Sequence, residues 1–289
     1  MSNYALEING VTKDYGSFKL NDVSLKLEKG MIMGLVGQNG AGKTTLINLI
    51  MNKLRRDSGE IKVFGFDNIT DEPKVKNLIG YVADEEYMYF AYTLERYRKV
   101  FSMAFENWNG ELFDELCRKF ELPLKKKFSE FSKGMKTKAM FALALAHDPK
   151  IFIMDEPTAG LDPVARIEIL DMLREFVSDG ERAVLFSTHI TGDLDKIADY
   201  ITLIIDGEVV ESMSVDMIEE KYAEVTGSGK PDEKIKPYLI GVRQGTSNYT
   251  ALVKRENIGK LGDVSVHTPD IENLLTHNIW HKKSRKGAE

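Results

Sequence analysis

The segment Gly37-Gln38-Asn39-Gly40-Ala41-Gly42-Lys43-Thr44-Thr45 follows the apolar run Met31 to Val36 and precedes Leu46 to Ile50. A strand, a glycine loop and a helix in that order form a triphosphate cradle. The glycines let backbone N–H groups turn inward on phosphate, Lys43 can reach the outer phosphates, and the Thr44 hydroxyl is placed to ligate Mg²⁺. The new helix adds the positive end of its dipole beneath the anion. The alternative for this fragment alone is a glycine-rich surface turn.

A second apolar strand, Ile151 to Met154, ends in Asp155-Glu156-Pro157. A continuous apolar run suits a parallel strand covered on both faces, and ligands collect at the carboxyl ends of such strands. Asp155 then stands beside the glycine loop as a Mg²⁺ ligand, and Glu156 as a carboxylate able to polarise an attacking water.

Three more fragments follow a fixed order around this pair: Phe131-Ser132-Lys133-Gly134-Met135, Ala159-Gly160-Leu161-Asp162-Pro163 and Ser187-Thr188-His189. Ser132 and Gly134 open a helical stretch, Lys133 to Ala146, with apolar positions at Met135, Ala139, Ala142 and Ala146. A helix start bearing a hydroxyl and a glycine is an anion site as well as an ordinary N-cap. Asp162 before Pro163 reads as an N-cap with proline at the first helical position. It opens a helix that places Ile167, Leu170, Leu173 and Val177 on one face and ends at Gly180. His189 follows the strand Ala183 to Phe186, where a lone histidine is ordinarily structural.

With these fragments in this order, residues 3 to 215 resemble the ATP-binding subunit of an ABC (ATP-binding cassette) transporter, of the single-cassette bacterial exporter-like type. The resemblance implies an α/β P-loop NTPase fold. Its RecA-like core sheet carries an antiparallel β subdomain and a helical signature subdomain at about 88–146. Residues 1–215 would form the cassette and 216–289 a small C-terminal α+β accessory region. The implied cofactors are ATP and Mg²⁺, the latter held by Thr44, Asp155 and Asp84, and the implied activity is ATP hydrolysis.

The resemblance further implies that Ser132, Lys133, Gly134 and Met135 close on ATP held by a second subunit, packed head to tail with twofold symmetry. Asp162 would lie in the dimer loop. Glu156 and His189 would be catalytic, and Tyr15 would stack on the base, a contact that tolerates base identity. For Tyr15 the alternatives are a place in the core of the first hairpin, and Phe18 as the platform. The implied partners are a second cassette, identical or related, and a separate transmembrane permease. That places the chain in the cytoplasm, peripheral on the inner face of the cell membrane. A soluble cassette ATPase serving cofactor assembly is the competing reading.

Three positions depart from the family pattern. Asp84 stands where a Mg²⁺-sensing glutamine is usual and adds negative charge near Asp155. Lys133 and Met135 stand where glycine and glutamine are commoner, and Lys133 either adds a phosphate contact or crowds the backbone approach.

Composition bears on what remains. The chain has 289 residues, 43% hydrophobic and 29% charged, and no run approaches the eighteen or so apolar residues needed to span a bilayer. A net charge of −6 gives no bulk attraction for nucleic acid. The single cysteine, Cys117, excludes an internal disulfide and falls on a packing face with Leu112, Leu116 and Phe120. Leu94, Tyr97, Phe101 and Phe105 form another stripe of the helical arm.

The aromatic stretch Tyr87 to Tyr92 reads as a loop either tucked under the helical arm or offered to a partner's helix, and its position after Asp84 favours the second. Asp206-Gly207 is a hairpin turn. Beyond Asp216, Gly227 to Glu233 reads as a loop or linker, and Tyr238 to Val242, Tyr249 to Val253 and Val264 to His267 as strands before a helix after Pro269. Lys282 to Lys286 reads as a basic, disordered and solvated end, with contact to anionic lipid as the alternative.

Overall fold

The computed structural model describes residues 3–83 and 88–286. The expectations placed on Asp84 and Tyr87 therefore lie outside the described residues.

Strands β1 (Tyr4–Asp14) and β2 (Lys19–Glu28) form an antiparallel hairpin. Leu20 and Val23 break the two-residue alternation that Val23, Leu25 and Leu27 keep, and the register of the pair shifts at that point. Asp22 absorbs the extra residue with φ 50°, the mark of a bulge. β3 (Ile32–Val36) is wholly buried and feeds the glycine loop and helix α1 (Lys43–Ile50). Strands β4 (Ser58–Val63) and β5 (Phe66–Asp67) complete a four-stranded sheet in the order β2-β1-β4-β5. Helix α2 (Glu72–Leu78) then leads directly into β6 (Ile79–Val82).

The helical arm comprises α3 (Leu94–Ala104), α4 (Gly110–Lys119) and α5 (Lys133–Leu145). Thr93, Asn109 and Ser132 cap the three helices, each accepting from amides of the first turn. The arm has its own core around Leu94, Tyr97, Phe113, Cys117 and Phe128. The aromatic stripes expected from the sequence are packing residues, with Phe113 more deeply buried than Leu112.

β7 (Ile151–Asp155), α6 (Pro163–Val177), β8 (Ala183–Thr188), α7 (Thr191–Ile197), β9 (Tyr200–Ile205) and β10 (Glu208–Ser214) return the chain to the main sheet. Its order is β10-β9-β3-β8-β7-β6, parallel except for the antiparallel edge strand β10. The pleat sorts its side chains. Met33, Leu35, Ile153 and Leu185 face α1 and the antiparallel sheet, while Val36, Phe152, Met154 and Phe186 face α6 and α7. At Gly34 helix α7 comes so close that a Cβ would lie 2.6 Å from Leu194. On α6 the buried stripe is Ala165, Ile169, Leu170, Leu173 and Phe176. Ile167, expected on that face, is 52% exposed, because Ile169 takes the inward position instead.

After α8 (Asp216–Lys221) comes β11 (Tyr222–Ser228), a strand without a counterpart in the sequence reading. Gly227 and Ser228 end this strand and do not belong to the expected linker. It pairs with both β13 (Asn248–Lys254) and β14 (Ser265–His267), and β12 (Leu239–Gln244) completes the sheet in the order β12-β13-β11-β14. Helix α9 (Ile271–Lys286) lies against this sheet, and its Ile271, Leu274, Leu275 and Ile279 join the core that holds α6 and α7. The basic residues at the chain's end therefore form the last turns of a helix, and Lys282 is bonded to Ile205 and Glu208.

Candidate phosphate-binding site at the ends of the parallel strands

The glycine loop leaves β3 at the carboxyl end of the sheet. Gly42 has φ 112°, a conformation open to glycine, and precedes the first turn of α1. Gly37 is required by closeness: a Cβ there would stand 2.4 Å from the Ile204 carbonyl oxygen. Gln38, Asn39 and Gly40 are exposed at the loop's crest, Ala41 is buried beneath it, and Thr45 is partly buried in the first helical turn.

Lys43 is folded back under this loop, 6% exposed. Its ammonium donates to the carbonyls of Gly37 at 2.7 Å and Gln38 at 3.4 Å, and lies 3.4 Å from Oε1 of Glu156. The next residue, Thr44, donates its hydroxyl to Oδ2 of Asp155 at 2.7 Å. A hydroxyl and a carboxylate are hard oxygen donors of the kind Mg²⁺ shares with substrate phosphates, so Thr44 and Asp155 fit that ion.

Glu156 sits at φ 50°, a left-handed conformation that is unfavourable for a side chain of this type. Its amide donates to the Ser187 carbonyl at 3.0 Å, and Oε2 faces Nδ1 of His189 at 2.8 Å. The His189 amide donates to the same oxygen at 3.3 Å. The Glu156 side chain is 12% exposed, while that of His189 is 50% exposed. A largely enclosed carboxylate between an ammonium and an imidazole at the mouth of a phosphate cradle can accept a proton from water.

Ser187 appears in the sequence only as a member of the fragment that ends in His189, with no role of its own. Its hydroxyl donates to Oδ1 of Asp155, and its carbonyl accepts from the Glu156 amide, so it orients both acids. The available signal was a serine and a threonine inside the fully buried strand β8, where polar groups need a partner.

The second group of expected residues lies together elsewhere. Ser132 caps α5, accepting from Met135 N–H at 3.2 Å, and is exposed. Beside it, Gly134 abuts Leu161 and Ala165, so the starts of α5 and α6 meet. Asp162 caps α6 with two bonds of 3.0 Å from Ala165 and Val164, which hold its carboxyl below the usual range. Lys133 lies along Gly160, with Nζ 3.3 Å from where a Cβ would be, and so packs on its own chain's 158–161 loop. Val164 and Ile167 are exposed just beyond, 66% and 52%.

Tyr15 is 47% exposed at the hairpin tip, under the Lys13 ammonium at 5.7 Å, and so does not occupy the hairpin core. The half-buried Phe18 instead packs at Gly42, its ring 3.1 Å from where a Cβ would lie. Phe18, Asn21, Gly40, Asp206 and Glu208 line an open cleft of about 400 Å³ beside the loop.

On the arm's other side an apolar groove of about 480 Å³ is lined by Met51, Tyr81, Met88, Phe101, Phe105 and His147. It opens at Ala83, the last described residue before 84–87. Tyr89 is 71% exposed and stacks on Tyr92.

A family profile described as ABC transporter matches residues 20–159. The uncharacterized ABC transporter ATP-binding protein YdbJ of Bacillus subtilis is 30% identical over 90% of this chain and 87% of its own length. The daunorubicin resistance ATP-binding protein DrrA3 of Streptomyces coeruleorubidus is 32% identical over 75% of this chain and 70% of its own. Among solved structures, an ATP-binding subunit of an ABC transporter superposes with a TM-score of 0.69 at 28% identity, covering 75% of this chain and 92% of that one.

Proposed function

This chain belongs to the ATP-binding subunits of the ABC transporters and is an ATPase, and from that premise we propose that two such cassettes close head to tail around two ATP molecules to drive a separate transmembrane permease. The observation that carries the chemistry is the run Lys43–Glu156–His189 at the mouth of the glycine loop, with distances of 3.4 and 2.8 Å.

Lys43 and the loop amides of Gly40 to Thr45 hold the phosphates, and Tyr15 or Phe18 carries the base. The water oxygen attacks the γ-phosphorus in line, and the bond to the β–γ bridging oxygen breaks. Glu156 takes the water's proton and His189 orients the same water. Thr44 and Asp155 would hold Mg²⁺, which supplies charge neutralisation on the phosphates. Ser132, Gly134 and Met135 of one cassette face the ATP of the other, with Asp162, Val164 and Ile167 at the shared interface. The exposure of those three and of Ser132 supports this reading.

The apolar groove lined by Ala83 and Met88 receives a helix of the permease, and the exposed Tyr89 and Phe90 come next along the chain. Among the described residues no helix is long and apolar enough to cross a membrane. In this reading the cassette binds its permease on the inner face of the membrane. Similarity to DrrA3, a daunorubicin resistance ATP-binding protein, supports export as the direction.

The test is a pull-down of the tagged chain from native membranes, with ATP present and Glu156→Gln holding the closed state, followed by mass spectrometry. Co-elution of a polytopic membrane protein is expected. Soluble partners alone would replace this reading with a cofactor-assembly ATPase.

A further inference from the structure

Helix α9 touches the cassette at both ends. At its start Ile271 and Leu274 share a core with Leu194 and Ile197 of α7, the helix that follows His189. Near its end Lys282 donates to the Ile205 carbonyl and to Oε2 of Glu208, both at 2.9 Å. Those two acceptors flank the turn Asp206-Gly207. Asn21 also reaches Glu208, at 3.4 Å.

The turn is part of the floor of the phosphate loop. The Gly207 amide donates to the Ala41 carbonyl at 2.9 Å, and the Gly207 carbonyl accepts from Asn21 N–H at 2.8 Å. There is no slack in this seat: a Cβ on Gly207 would fall 1.9 Å from the Lys19 carbonyl oxygen, and one on Gly37 would fall 2.4 Å from that of Ile204. The backbone 204–207 therefore dictates where Gly37 and Ala41 can lie. Both central turn residues have positive φ, 50° and 79°, so the turn's shape is held against an intrinsic cost at Asp206.

We propose that Lys282 is a positioning residue for nucleotide binding: by bonding both sides of the 206–207 turn it fixes the floor of the phosphate loop, so that seating of α9 on the cassette sets the affinity for ATP. The proposal rests on the reading that Gly37 to Thr45 cradle ATP. The Glu208 carboxyl is held below its usual range first by the Lys282 hydrogen bond and then by its charge, which agrees with an intact ion pair.

The experiment compares the full chain with its Lys282→Met, Lys282→Arg, Glu208→Ala and Lys43→Ala variants. Each is titrated with a non-hydrolysable ATP analogue and followed by hydrogen exchange. Lys282→Met is expected to weaken binding roughly tenfold, the share of two charge-assisted bonds. It should speed exchange at 205–208 and 37–43 and leave the helical arm 94–145 unchanged. Lys282→Arg is expected to restore most of the affinity, and Glu208→Ala to fall between.

Binding by Lys282→Met at wild-type affinity, with Lys43→Ala unable to bind, overturns the proposal and leaves the cradle reading intact. Binding by Lys43→Ala at wild-type affinity overturns both. Should Lys282→Met fail to fold, Glu208→Ala decides, and wild-type affinity and exchange there overturn the proposal.

Discussion

Nδ1 of His189 lies 2.8 Å from Oε2 of Glu156, although the two residues are 33 positions apart. Adjacent parallel strands bring them together. β7 and β8 run in register with Asp155 opposite Ser187, and the chain leaves both strands at the same edge of the sheet. The left-handed turn at Glu156 then aims its carboxylate across the gap between the two strand ends.

Glu156→Gln preserves the size of this side chain and removes the proton acceptor. Hydrolysis is expected to fall by about 10²–10⁴, the usual range for a positioned base, with nucleotide binding kept. Phosphate release and size-exclusion chromatography with ATP would check this. A variant that hydrolyses at the wild-type rate would remove Glu156 from the role of base.

Ser132 offers a way to separate a cap from a ligand. Ser132→Ala should cost about 0.5–2 kcal/mol of stability through the lost cap, whereas Ser132→Asp keeps an effective N-cap. If Ser132 faces a partner's γ-phosphate, the aspartate places like charge against it and hydrolysis should fall roughly tenfold or more while the melting temperature stays near wild type. Normal hydrolysis by Ser132→Asp would leave Ser132 as a cap alone.

His147 forms part of the groove wall, buried and stacked on Phe105 with ring centroids 4.1 Å apart. Burial pushes its imidazole below the ordinary value of 6.5, against a hydrogen bond between Nε2 and the Ile79 carbonyl that acts the other way. The unfolded chain therefore takes up a proton before the folded chain does. The stability from His147 is present above the ordinary value and declines as the pH falls through it towards the depressed one. His147→Gln, which retains a donor, should flatten the melting temperature between about pH 7 and pH 5. An unchanged slope would show that His147 does not cause it.

Cys117 is 3% exposed in the arm's core, and burial pushes its thiol up to about 12. A thiol reagent at about pH 8 should leave the native chain unlabelled and modify one thiol after denaturation. Rapid labelling of the native chain would mean that the arm opens around α4. The sign for stability runs opposite to that of His147: the contribution is present below the ordinary thiol value and is lost as the pH rises towards the folded one.

Local chemistry on the chain determined much of this protein. The glycine loop between an apolar strand and a helix, the caps at Ser132 and Asp162, and the Asp206-Gly207 turn are each set by a few neighbouring residues. The order of motifs around Asp155 and Glu156 then carried the resemblance that implied the α/β fold. Tertiary structure decided the rest. Thr44 meets Asp155 across 111 residues only because β3, β8 and β7 are neighbours in the sheet. Ile167 and Ile169 are alike in composition, and only the rotation of α6 against the sheet selects the one that is buried. β11 is an edge in sequence but an interior strand in space, recognisable once β13 and β14 are placed on its two sides. The attachment of Lys282 to the floor of the phosphate loop belongs to the same class. Such contacts join segments that are distant along the chain, and their free energy depends on packing that no local pattern of residues encodes.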